Sequence, residues 1–359
     1  MKIAILSMQK VYNYGSVLQA YSLMKILEKI TGENIEFINP NCNDFIKVNM
    51  KIKDSNDYLG EKYITNKIEF LTKKIINKIK YKNFVRKIKE FQNNELKLND
   101  DNIKKEYDIV IEGSDEVFKC TDKLYLHMYG KVNNTKKLIT YAASCGSANA
   151  KYLTKEQCNI LKKTMSNFKT ISVRDNNTLK YIKNFYNGKV EKHLDPVLIG
   201  DLNLIEHKPV KEKNYMIIYA YGDRIKSAEE IKAIKNYAKK KGLKTIAIGA
   251  PQYWCDKFIS VSPFEMLDYF YFSDCVVTDT FHGTIFSIIN QCNFVTIFRK
   301  TNNNKLGDLL ESLDLDERKL KNTKDLELVL NKKIDYKKID KKLAREKEKT
   351  INYLKDNIL

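Results

Sequence analysis

Proline and glycine are sparse in this chain, 5 and 13 residues among 359, and tryptophan occurs once. That scarcity excludes a collagen-like or Pro/Gly-rich disordered polymer, and a hydrophobic share of 43% is enough for packed cores. No apolar run reaches the ~18–20 residues that a membrane-spanning helix needs. The start, Met1–Ser7, is too short for the apolar region of a secretion signal and reads as a first strand, so a cytoplasmic location is expected. The seven cysteines (Cys42, Cys120, Cys145, Cys158, Cys255, Cys275, Cys292) are odd in number and scattered. None forms a C-x-x-C pair or stands near a histidine at zinc-ligand spacing, so free thiols are expected and no metal site. Acid is short against base, 45 residues to 64, for a net charge of +19. Arginine is scarce among those bases, and no nucleic-acid-binding signature appears, so nucleic acid is not an expected partner. Anionic small molecules or an anionic membrane surface fit the charge better.

What is present is a repeated strand–helix rhythm. Lys2–Ser7 reads as strand and Ser16–Ile30 as helix, with Leu18, Tyr21, Met24 (or Leu23) and Leu27 at helical spacing and Gly32 as the stop. Strands follow at Asn34–Ile38, Tyr107–Ile111, Leu138–Ala142 and Thr170–Val173, with a capping box at Thr154-Lys-Glu-Gln157. The rhythm restarts with strands at Tyr215–Tyr221, Lys244–Gly249, Cys275–Asp279 and Phe294–Phe298. Helices at Ser227–Lys240, after Ser262-Pro-Phe-Glu265, and at Phe281–Asn290 separate them. The expected fold class is α/β, two Rossmann-like doubly wound domains facing a cleft, at 1–200 and 201–335, with a C-terminal helix over 336–359. Residues 47–92 interrupt the first domain as a basic helical insertion, with Ile68, Leu71, Ile75 and Ile79 on one face. It is either an amphipathic helix packed on the domain or a peripheral contact with the inner face of the membrane.

In open parallel sheets ligands bind at the carboxyl ends of strands, where helix N-termini offer unpaired N–H groups to anions. Five such junctions carry polar chemistry. Asp279-Thr-Phe-His-Gly-Thr284 places His282 on the turn entering a helix, beside Gly283; taken alone it is either structural or functional. Tyr12-Asn-Tyr-Gly-Ser16 is either an ordinary capped turn or a ligand turn, with Asn13, Gly15 and Ser16 facing it. Glu112-Gly-Ser-Asp115 supplies Gly113, Ser114 and Asp115, and Ser144-Cys-Gly146 supplies Ser144 and Gly146. Val173-Arg-Asp175 ends a strand with Arg174, whose planar fork suits a carboxylate or phosphate.

Taken in order, these segments resemble the polysaccharide pyruvyl transferase family. The runs that carry the resemblance are Asn13-Tyr-Gly-Ser-Val-Leu-Gln-Ala-Tyr-Ser-Leu23, Asp108-Ile-Val-Ile-Glu-Gly-Ser-Asp115, Tyr141-Ala-Ala-Ser-Cys-Gly146 and Ile171-Ser-Val-Arg-Asp175. They continue with Leu194-Asp-Pro196, Asp279-Thr-Phe-His-Gly-Thr-Ile-Phe-Ser287 and Leu306-Gly-Asp-Leu-Leu310. The resemblance implies a GT-B-like fold and transfer of a pyruvyl group from phosphoenolpyruvate to hydroxyls of a surface polysaccharide (a capsule or exopolysaccharide) or its lipid-linked precursor. No metal or redox cofactor is implied. Carried over by motif, His282 is the catalytic acid or base, and Arg174 holds an anionic group. Asn13, Gly15, Ser16, Gly113, Ser114, Asp115, Ser144 and Gly146 line the cleft with Asp279, Thr280, Gly283 and Thr284.

In one place the chain departs from the family's pattern. Members commonly carry arginine and leucine immediately before this histidine; here Thr280 and Phe281 stand there. Arg299, at the end of the next strand, is the cation expected to replace the missing one. A nucleotide-sugar glycosyltransferase of GT-B-like fold and a non-catalytic subunit of a polysaccharide assembly complex are the competing readings.

Overall fold

The computed structural model of the protein describes residues 1–39, 44–48, 67–98, 105–222, 224–299 and 303–359, with backbone alone at 67–70. Cys42, the stretch 49–66 of the basic insertion and the side chain of Ile68 lie outside the described residues.

In chain order, strands β1 to β8 are Ile3–Leu6, Ile35–Phe37, Phe45–Lys47, Tyr107–Asp115, Lys123–Tyr125, Thr135–Ala143, Phe168–Val173 and Val190–Lys192. Six of them form a parallel sheet in the order β2-β1-β4-β6-β7-β8, and β3 pairs antiparallel with β5 to one side. Strands β9 to β14 are Tyr215–Tyr219, Lys244–Ile248, Lys257–Ile259, Cys275–Thr278, Phe294–Ile297 and Lys319–Leu320. They make a second parallel sheet in the order β11-β10-β9-β12-β13-β14. Helices α1 to α6 are Tyr14–Thr31, Lys67–Asn94, Lys155–Met165, Asn176–Ile182, Pro196–Ile199 and Ala228–Lys241. Helices α7 to α11 are Pro263–Tyr271, Phe281–Ile289, Asn303–Ser312, Leu326–Asn331 and Tyr336–Ile358. The fold is α/β, with two Rossmann-like domains.

Both sheets read as continuous apolar strands because both of their faces are covered. The outer face of the first sheet is buried by Val110, Phe118, Leu161 and Phe168, and that of the second by Ile218, Ile231, Ile234 and Phe258. A third apolar cluster is shared: Val17, Leu18 and Leu27 of α1 and Val197 and Ile199 of α5 join Phe270, Ile285 and Phe286 of α7 and α8. The inner faces of the two sheets thus close on one core that spans the domains.

Local chemistry fixes the boundaries. Asn13 caps α1, its Oδ1 accepting from Gly15 N at 2.7 Å, so the helix starts at Tyr14 and takes in Gly15 and Ser16, two residues earlier than the apolar spacing alone places it. Gly32 ends it in the left-handed conformation. Both expected capping boxes form, Thr154 with Gln157 and Ser262 with Glu265. Strand β4 runs on to Asp115, so Glu112-Gly-Ser-Asp115 is strand and not turn. The reason lies at Gly113, φ 147°, where a side chain would collide with the carbonyl of Tyr141; without one, β4 and β6 stay paired to their ends.

Helix α2 differs from the expected packing. Leu71, Ile75 and Ile79 share a face, but that face points to solvent, and the helix is held instead by Asn77, Phe84, Ile88, Phe91 and Gln92. Its aromatic residues decide the orientation: Phe84 packs on Tyr14, and Phe91 packs on Tyr21 and Phe264. None of the described helices is long and apolar enough to cross a membrane.

Candidate active site between the two sheets

In each sheet the chain leaves a central strand in opposite directions, β1 lying between β2 and β4, and β9 between β10 and β12. The carboxyl ends at these switch points face each other, and most of the expected site residues gather there.

The centre is a buried cluster built from both domains. Asp195 caps α5, its Oδ1 accepting from Val197 N at 3.0 Å. Its Oδ2 accepts from Arg174 Nη1 at 2.8 Å and from Ser114 Oγ at 3.3 Å, and lies 3.6 Å from His282 Nε2. Burial pushes the Asp195 carboxyl up, but His282 and Arg174 facing it reverse the sign and hold it at about 2. At 3.6 Å the His282 contact is longer than a hydrogen bond, and Nε2 has no hydrogen-bond partner among the described residues. The Arg174 guanidinium lies 4.1 Å over the Phe281 ring and 4.0 Å from Asp115 Oδ1. Arg174 and His282, 108 positions apart, therefore converge on one carboxylate.

Gly15 sits against the His282 imidazole so closely that any Cβ there would overlap the ring. The ring is stacked on Phe286 from the other side. The N-termini of α1 and α8 thus meet at this histidine. Ser16 donates to Asp115 Oδ2 at 2.7 Å, which brings the first turn and the end of β4 together.

Other expected residues occupy structural positions around this cluster. Thr280 caps α8 through Gly283 N at 2.9 Å, and its hydroxyl also meets Thr278. Thr284 bonds to Thr280 O and to Thr296, and Gly283 packs on Tyr219 and Thr278. Ser144 donates to Asp175 Oδ2 at 2.7 Å, and Gly146 turns under the carboxylate of Glu116. Arg299 is engaged by other carboxylates: it grips Glu230 with both ends of its fork, at 2.5 and 3.0 Å, and Asp279 with Nε at 3.3 Å. Burial raises the Asp279 carboxyl, with Arg299 and Arg224 opposing.

Three groups at this junction escape a reading of the sequence. Asp195 is the first; it stands in the Leu194-Asp-Pro196 run of the family resemblance, and only the structure shows it capping α5 beside Arg174. The second is the pair Glu116–Lys305, joined at 2.6 Å between the two domains. Burial lifts the Glu116 carboxyl, but Lys305, then Lys119 and Arg174, take it down to about 2. The third is Tyr221 with Arg224, whose guanidinium lies 5.0 Å from the ring centroid. The crowded cleft pushes the Tyr221 phenol up, and Asp115 and Glu116 add to this, although 44% of the residue's surface stays open.

The fold has relatives at low identity. The chain is similar to MnaA of S. aureus, solved in a co-structure with UDP, at 11% identity and a TM-score of 0.51, covering 99% of this chain and 96% of that one. It is also similar to the UDP-GlcNAc 2-epimerase of Methanocaldococcus jannaschii, at 12% identity and a TM-score of 0.50, covering 99% of both chains. Likeness at this level shows a GT-B-like arrangement of two α/β domains and no more. No curated protein sequence matches the chain. The family model for polysaccharide pyruvyl transferase matches residues 13–298, from the cap of α1 through His282 to the end of the strand after it, and the chain belongs to that family of transferases.

Proposed function

We propose that this transferase moves the enolpyruvyl unit of phosphoenolpyruvate onto hydroxyls of a surface polysaccharide or its lipid-linked precursor, with His282 as the acid–base group. The reading is supported above all by the unpaired Nε2 of His282, buried at the junction of the domains and 3.6 Å from an ionised Asp195. Ketal formation adds a proton to the methylene carbon of the donor, builds positive charge at its C2 and removes protons from two sugar hydroxyls, with inorganic phosphate leaving. An imidazole with a free ring nitrogen can take and return those protons, and the fixed carboxylate stabilises the charge it then carries. Arg174, buried, stacked on Phe281 and paired with Asp195, would meet the donor's carboxylate at the edge of the cluster.

The test is phosphate release from phosphoenolpyruvate with a matching saccharide acceptor. His282→Ala is expected to lower kcat by about 10²–10⁴-fold with an unchanged circular dichroism spectrum. Turnover at the parent's rate would remove His282 from the chemistry. One observation favours a second reading, glycosyl transfer from a nucleotide sugar: Arg299, the expected replacement cation, is engaged by Glu230 and Asp279. Thermal stabilisation by a nucleotide sugar and not by phosphoenolpyruvate would select it.

A further inference from the structure

The face of α2 turned away from the protein is apolar where solvent calls for polar residues. Leu71, Ile75 and Ile79 recur every fourth position at 56%, 62% and 63% exposure, and Ile76 widens the patch. Single exposed apolar residues are ordinary, but a continuous row along one helix marks a contact surface. From Leu71 to Asn94 the same helix carries seven lysines and one arginine against a single glutamate. Lys78 and Lys82 lie beside the row and are exposed.

We propose that α2 docks on an anionic phospholipid surface, Leu71, Ile75 and Ile79 entering the interface while Lys78 and Lys82 meet the headgroups. The combination of a narrow apolar row and a basic rim suits a helix lying in the plane of a bilayer interface. A second copy of this chain is a poor occupant, because it would bring lysine rows against each other. The opposite face of α2 is anchored to the turn that enters the active-site cluster. Gln92 Nε2 donates to Gln9 O at 2.8 Å, and Phe84 packs edge-on to Tyr14. Docking therefore holds the β1–α1 turn, with Gly15 against His282, beside the lipid surface, where a lipid-linked sugar would be presented. The lipid contact itself does not depend on the donor chemistry proposed above.

The full chain is to be sedimented with vesicles of phosphatidylcholine alone and of phosphatidylcholine with phosphatidylglycerol. Binding to the mixed vesicles only, weakened by salt, is expected. The triple variant Leu71→Ser/Ile75→Ser/Ile79→Ser and the pair Lys78→Glu/Lys82→Glu should each weaken it about tenfold or more. All five positions are exposed, so the melting temperature of both variants should match the parent, and turnover of a water-soluble acceptor should not change. Loss of that turnover in the parent protein bears on the chemistry and leaves the docking result standing. Absence of sedimentation by the parent, or equal sedimentation by the triple variant, overturns the proposal. So does a dimer in analytical ultracentrifugation that the triple variant abolishes, since the row would then be covered by a second copy.

Discussion

One oxygen of Asp195 serves Arg174, Ser114 and His282 at once, at 2.8, 3.3 and 3.6 Å, inside a region closed to water. Removing its charge takes from a buried guanidinium its nearest ion-pair partner, the next carboxylate, Asp115, lying 4.0 Å away. Asp195→Asn is therefore expected to destabilise the protein at neutral pH by roughly 3–5 kcal/mol. The pH dependence follows from the direction of the shift. The folded carboxyl titrates at about 2, below its ordinary range, so its stabilisation is complete above the unfolded value and is lost as pH falls through the folded one. Urea unfolding of the two proteins should show their difference shrinking between about pH 4 and about pH 2. A constant difference across that window would mean that Asp195 is not the group that titrates. Arg174 and His282 were legible as site candidates because each follows a strand, where the backbone itself presents side chains to a cleft. Asp195 was not, since it follows β8, a three-residue strand that the apolar pattern did not mark. Lys305 was hidden for another reason: its partner Glu116 lies 189 positions away, and only the closing of two domains joins them.

Among the elements, α1 and α8 depend on each other through one missing side chain. Gly15 in the first turn of α1 leaves room for the His282 ring in the first turn of α8. In an isolated helix Gly→Ala favours folding by roughly 0.5–1 kcal/mol, so propensity alone predicts a gain. Here the added methyl overlaps the His282 ring, whose other neighbour is Phe286, so the ring must shift. Overpacking of this kind costs about 1–3 kcal/mol. Gly15→Ala should thus lower the melting temperature, and the loss should vanish or reverse in a His282→Ala background, where the ring is gone. Additive effects in that double-mutant cycle would refute the contact. Helices α1 and α8 were readable from apolar spacing and α3 and α7 from their capping boxes, both of which form, whereas α4, α5, α9 and α10 were not read. The outward face of α2 was not readable, because Leu71, Ile75 and Ile79 satisfy helical spacing as well as any core row does. What turns them outward is competition from Phe84, Ile88 and Phe91, which bury more surface and find aromatic partners on α1 and α7.

For the molecule as a whole, the chain crosses from the second sheet back to the first before it ends. Helix α11 follows the last strand of the second sheet, yet Tyr353 donates to Thr140 O at 2.8 Å and stacks near His193. Thr350 meets Tyr141 at 3.1 Å, Lys349 reaches Lys192 O, and Leu354 and Ile358 are buried. The charged pattern of the tail marks a helix but cannot say which domain it covers, since either sheet offers an apolar face. The burial decides it: the tail completes the wall of the first domain that also carries Tyr141 and Asp195. Tyr353→Ala with Leu354→Ala removes two buried side chains, each worth about 2–5 kcal/mol. The damage should be local to the first sheet. Amide hydrogen exchange is expected to speed up in β6 and β7 and to stay slower in β9, β10 and β12, whose outer-face core contains no residue of α11. Equal loss of protection in both sheets would show that the shared core between α1, α5, α7 and α8 makes the two domains unfold as one.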